Sequence, residues 1–134
     1  MGTMLSTPID YRPPVEGIIT LDDVPLIVTL FEVTEHATVI IRLTGGVTRP
    51  SDFVSKAFIA DFIMRRDNDV AVVKNGGSPY PSWLGAPAEI TALQNVNIGM
   101  DCSGVNFFMS FTGLAATELH WGFQVFGIQL TDLP

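Results

Sequence analysis

Near the C-terminus, Val105–Thr112 places Val105, Phe107, Met109 and Phe111 at every second position, with Asn106, Ser110 and Thr112 between them and Phe108 as the exception. Successive side chains alternate sides only in an extended strand. A one-sided row of large apolar groups at period two therefore specifies a half-buried β-strand and argues against an amphipathic helix. The pattern recurs a few residues later. Leu119, Trp121, Phe123 and Val125 share one face, and Glu118, His120, Gly122 and Gln124 share the other. The small residues of Gly113–Thr117 lie between, so Phe111–Val125 reads as a hairpin. Past Val125 the parity changes: Phe126, Ile128 and Leu130 become the apolar set. This predicts a bulge or bend near Val125–Gly127, or burial of both faces there, one of them by another chain.

The same period continues upstream. Gly17–Leu21, Leu26–Val33 and Ala37–Thr44 read as strands, the last ended by Gly45–Gly46. Residues 53–66 admit a helix capped by Ser51 or Asp52, or a strand with Phe58, Ala60, Phe62 and Met64 on one side. The strand is favoured, because Asp67–Asn68–Asp69 supplies a turn and Val70–Lys74 a return. Asn75–Pro87, rich in Gly and Pro, reads as a long loop. Its Tyr80 and Trp83 either pin the loop to the body or offer a stacking surface to a partner or sugar. Glu89–Met100 reads as one or two short strands.

Residues 1–16 hold Pro8, Pro13 and Pro14, which forbid a regular helix, so they read as an extended arm. Leu5, Ile9 and Tyr11 are too apolar for a free tail and suggest an arm laid along another subunit. The expected architecture is all-β: an antiparallel β-sandwich, jelly-roll-like or similar, over residues 17–134, with that arm in front.

Charge narrows the partners. Seven basic against fourteen acidic residues give a net charge of −7, which disfavours nucleic acid and anionic membranes. Charged residues are 16% of the chain, against about 25% in ordinary globular domains. After Lys74 there is no Lys or Arg, and only Glu89, Asp101, Glu118 and Asp132 are charged. Depletion of charge is typical of surface that neighbours cover. No apolar run reaches the ~18 residues of a membrane helix, and the N-terminus lacks the layout of a signal peptide.

Residues suited to catalysis are few. His36 and His120 lack metal-ligand spacing, and Cys102 has no nearby cation to activate it. Asp67–Asn68–Asp69 lacks the downstream glycine and glutamate of a calcium loop. No phosphate-loop motif occurs. No catalytic residue, metal or cofactor is expected, and the chain reads as non-enzymatic.

Thr112–Gly113, Ala115–Ala116–Thr117 and Leu119–His120–Trp121 resemble the C-terminal segment of small β-sandwich structural proteins of tailed bacteriophages. Ala37–Gly45 and Ala57–Asn68 are similar to two further strands of that family. Phe107–Met109 and the Ser78–Pro87 loop depart from it. The resemblance implies a virion protein made in the host cytoplasm, first of all a capsid decoration or cement subunit. The alternative is a tail or head fibre module that binds a receptor or carbohydrate. It also implies a homo-oligomer, a trimer by preference, with capsid or other virion proteins as partners. The expected contact residues are Leu5, Ile9, Tyr11, Tyr80 and Trp83.

Overall fold

The structure is a computed structural model that describes residues 3–11, 17–68, 70–73 and 81–133. Its elements are β1 (Thr3–Tyr11), β2 (Ile18–Thr20), β3 (Leu26–Glu32), β4 (Ala37–Arg49), β5 (Val54–Arg66), β6 (Ala71–Val73), β7 (Ser82–Leu84), α1 (Pro87–Ala92), β8 (Asn97–Ser103), β9 (Asn106–Thr112) and β10 (Leu119–Leu133). The expected all-β architecture is present as two antiparallel sheets. The larger runs β1-β10-β4-β5-β6, with β2 continuing the β1 edge along β10 and β7 sharing the outer edge of β5. The smaller runs β3-β9-β8.

The inward faces are those that the alternation selects. Phe107, Met109 and Phe111 from the small sheet face Trp121, Phe123 and Val125 on β10, Val39, Ile41 and Leu43 on β4, and Phe58 and Met64 on β5. Phe111 sits at the centre, its ring 5.1 Å from that of Trp121 and 5.5 Å from that of Phe123. The sheets are tied at one corner by Ala71 N, which donates to Gly104 O at 2.8 Å, and by the Arg66 guanidinium, which donates to Val33 O at 2.8 Å.

Five expectations need correction. First, β9 and β10 are not a hairpin. β9 pairs with β3 and β8, and β10 with β1, β2 and β4. The 113–118 loop therefore crosses between sheets, and the two apolar rows meet face to face rather than edge to edge. Second, Gly45–Gly46 do not end the strand, because β4 runs on to Arg49 in unbroken register with β5 and β10. Third, no bulge occurs near Val125–Gly127, where β10 keeps register with β4 and β1 throughout. Phe126 and Ile128 simply point outward, on the face away from the core, and both are exposed. Fourth, Pro87–Ala92 is a short helix, started by Pro87 with Glu89 in its first turn, and only Asn97–Ser103 is a strand. One and a half turns leave too short a stretch for a helical period to show. Fifth, Thr3–Tyr11 pairs along β10 of its own chain, Thr3 opposite Leu133 and Tyr11 opposite Val125. β10 would otherwise show an unpaired edge.

Candidate interaction surfaces

Three loops gather at one end of the sandwich. Thr20 lies opposite Leu119 and Thr48 opposite His120. The β2–β3 loop, the β4–β5 turn and the β9–β10 crossover therefore share this end.

The β4–β5 turn is tightly built. Asp52 N and Phe53 N donate to Arg49 O at 3.4 and 2.8 Å. The Arg49 guanidinium donates to both Asp52 oxygens, at 3.0 and 2.8 Å, which holds the Asp52 carboxyl below its usual range. Ser55 Oγ donates to Phe53 O at 3.1 Å. This network holds Phe53 at φ 60°, a left-handed conformation that costs a residue with a Cβ about 1–2 kcal/mol. The Phe53 side chain, 78% exposed, gains little burial in return. A polar groove of about 710 Å³ runs between this turn and Ala116–Glu118. Beside it, His120 Nε2 and Glu118 Oε2 lie 2.9 Å apart in the open.

The β2–β3 loop is apolar. Asp22 Oδ1 accepts from Val24 N at 3.0 Å, and this local turn leaves Leu21 and Val24 outside. Ile19, Leu26 and Ile27 join them, with Ile27 64% exposed. Ile19, Leu21, Val24, Pro25 and Leu26 line a concavity of about 320 Å³. Gly113 packs closely against this loop: a Cβ there would lie 2.6 Å from Thr20 Oγ1 and 2.7 Å from Asp22 O. The outer face of the large sheet carries a second apolar patch, with Ile128 opposite Ile40 and Phe126 opposite Arg42. Arg42 is forked onto Asp61 at 2.7 and 2.9 Å, so this face has few free charges.

The contact residues expected from the sequence are scattered. Ile9 and Tyr11 pack on the protein's own core, with the Tyr11 ring stacked 6.1 Å from Phe123. Leu5 is exposed. Tyr80 lies outside the described residues. Trp83 meets the Phe58 ring edge-on at 5.6 Å, and Lys56 Nζ lies 3.7 Å from its ring centre. Trp83 lies in β7, paired opposite Phe58 of β5. Phe53 and the Ile19–Ile27 cluster escaped sequence reasoning. The signal for the second was the run Val24–Val28, whose consecutive apolar residues no single strand face can bury.

Lys56 is 5% exposed and also donates to Val96 O at 2.8 Å. Burial lowers its pKa. The unfolded chain thus keeps this proton to higher pH than the folded one. The cost of the buried charge is full below the folded-state value and is relieved as pH rises towards about 10.4. Cys102 works the opposite way, its thiol pushed up to about 11 by burial and by Asp101. The comparison therefore has to be between variants. The stability gap between native protein and Lys56→Met is expected to move in favour of the native protein from pH 7 to 10 in urea titrations. A gap constant with pH would mean that Lys56 titrates alike in both states.

Among the described residues no group of three His, Cys, Asp or Glu could hold a metal ion. No helix among them is long and apolar enough to cross a membrane.

No family model matches the chain, and no curated protein does. Among solved structures it is similar to tailspike protein gp49 of Acinetobacter baumannii bacteriophage Fri1, a capsular polysaccharide depolymerase. The TM-score is 0.46 and the identity 12%, over 99% of this chain and 18% of that one. The tailspike protein of Acinetobacter baumannii phage AM24 follows, with a TM-score of 0.34 and 8% identity, over 98% of this chain and 26% of that one. The chain thus spans about a fifth to a quarter of their length. One expectation is corrected here. The Fri1 protein is an enzyme, so a stretch of broadly similar outline occurs within an enzyme, and the reading of this chain as non-enzymatic is withdrawn.

Proposed function

We propose that the chain is a structural module of a bacteriophage virion, of the tail or fibre type, which works by binding protein neighbours. The observation that carries this reading is the apolar surface left uncovered on a charge-poor sandwich. Ile19, Leu21, Val24, Leu26 and Ile27 are exposed at one end, and Ile40, Phe126 and Ile128 on the outer sheet face. Contiguous exposed patches of this kind mark association sites. The residues that resemble phage sandwich proteins, Thr112–Gly113 through Trp121, form the crossover and strand that frame the first patch. The tail or fibre type is preferred over capsid cement for a physical reason. The cement reading relied on residues 1–16 as an arm over adjacent subunits, and Thr3–Tyr11 is instead a strand of the chain's own large sheet.

The test is labelling of purified particles with an antibody raised against this chain, viewed by electron microscopy. Label confined to the tail or its fibres is the expected result. Label spread over the capsid, or particles that carry none of the chain, would overturn the reading.

A further inference from the structure

The run Ser82–Ala92, made of β7, Gly85, Ala86 and α1, lies along the outer edge of β5 without a single buried residue. Its moorings are few. β7 pairs with β5 over Ala57–Ile59 alone. The Trp83 ring meets Phe58 edge-on, and Glu89 Oε1 accepts from Ser55 N at 3.2 Å. The run ends at Leu93, which is buried in the core together with Val96. A segment with little buried area of its own, held firmly at one end, is the kind that opens locally.

Beneath this run lies a cation. Lys56 occupies an inward position of β5, in step with Phe58, Ala60 and Met64. Its Nζ donates to Val96 O at 2.8 Å and stands over the Trp83 ring at 3.7 Å. An ammonium has three N–H donors, and among the described residues no carboxylate offsets its burial, which holds the amine below its ordinary range. The desolvation therefore outweighs what the carbonyl and the ring return.

We propose that Ser82–Ala92 is a strap that swings off β5 as a unit about Leu93 while the sandwich stays folded, and that the Lys56 ammonium beneath Trp83 biases it towards opening. The closed strap keeps water from a cation, and each opening hydrates it. A neutral apolar residue at position 56 would hold the strap shut more firmly. Opening also frees the Ala57–Ile59 stretch of β5, whose edge β7 otherwise pairs. An unpaired edge is what a further strand adds to, so the strap gates that edge. This device stands whether or not the protein belongs to a virion.

Hydrogen exchange of the full chain, read by mass spectrometry, provides the test, with acetylation of Lys56 by acetic anhydride as a second readout that needs no variant. Amides of β7 and α1 are expected to be roughly a hundred-fold or more less protected than those of β4 and β10. Their protection should also fall far less steeply with urea, because little surface is uncovered when the strap opens. Lys56 should become acetylated in molecules whose β4 and β10 amides are still unexchanged. Lys56→Met keeps an unbranched side chain and removes the charge, so it should slow strap exchange by roughly tenfold. Strap amides that exchange only together with those of β10 would overturn the independent opening. Acetylation of Lys56 only in step with β10 exchange would show that the strap does not cover it. Strap exchange that is unchanged or faster in Lys56→Met would overturn the bias assigned to the charge.

Discussion

Trp121→Ala is expected to destabilise the fold by about 3–5 kcal/mol, the range for truncating a buried aromatic. The Trp121 side chain is 2% exposed. Its ring lies edge-on to Phe111, with an interplanar angle of 66°. Truncation therefore opens a cavity at the point where the two sheets meet. It also orphans a polar group: Trp121 Nε1 donates to Thr20 Oγ1 at 3.0 Å, and Thr20 is buried. An unsatisfied buried hydroxyl adds about 1–3 kcal/mol. The loss would be a large share of the roughly 5–15 kcal/mol by which domains are stable. Urea titration measures it. Trp121→Phe serves as the partial case, since it keeps most of the ring and loses the hydrogen bond, and it should fall clearly between the two. A loss below about 1 kcal/mol for Trp121→Ala would show that the crossover end collapses freely around the gap and is not packed as described.

The second large effect is expected at Gly45. A Cβ there would run into the Gly122 carbonyl oxygen and would lie 2.5 Å from Phe58 Cζ and 2.8 Å from Phe123 Cβ. No one of these neighbours can move alone. The first is backbone of the adjacent strand, and the others belong to core side chains already packed against the small sheet. Gly45→Val should therefore reach or exceed the ~3 kcal/mol upper end of ordinary overpacking costs, seen as loss of soluble folded protein or a steep fall in thermal midpoint. Gly122 provides the control. It lies opposite Gly46 in the next strand, yet a Cβ there meets nothing within 4 Å. Gly122→Ala should change stability by about 0.5 kcal/mol or less, as an unencumbered surface substitution does. Equal effects at the two glycines would mean that the close approach at Gly45 is not the cause.

Gly45 also shows how far the sequence could be read. Two adjacent glycines after an apolar run signal a break when only local preference is weighed. The strand continues because Gly45 is the point at which the Phe58 ring and the Gly122 backbone come close, and that requirement arises from residues far apart in sequence. Trp83 was legible as either a loop anchor or a stacking platform. Its ring meets Phe58 and Lys56 of the body, again through contacts that no local pattern contains. Phe53 was harder still. Its conformation depends on the Arg49–Asp52 fork, and a turn composed of Pro50, Ser51 and Asp52 gives no warning that the next residue is strained and exposed.

Where the period of two is clean, as in β9 and the first half of β10, the face that turns inward was determined by the sequence alone, because alternation along a strand is a local property that survives in any sandwich. Phe107, Met109 and Phe111, like Trp121, Phe123 and Val125, are buried where their parity places them. Only the tertiary structure decided which strands lie side by side and which lie face to face. A one-sided apolar row is buried equally well by a neighbour across the core whichever strand flanks it, so β9 and β10 read as partners and turn out to oppose each other. The same non-local choice assigned Thr3–Tyr11 to the edge of β10 and turned Phe126 and Ile128 outward. Backbone pairing, once in register, holds every side chain to its face even where that leaves apolar groups in water.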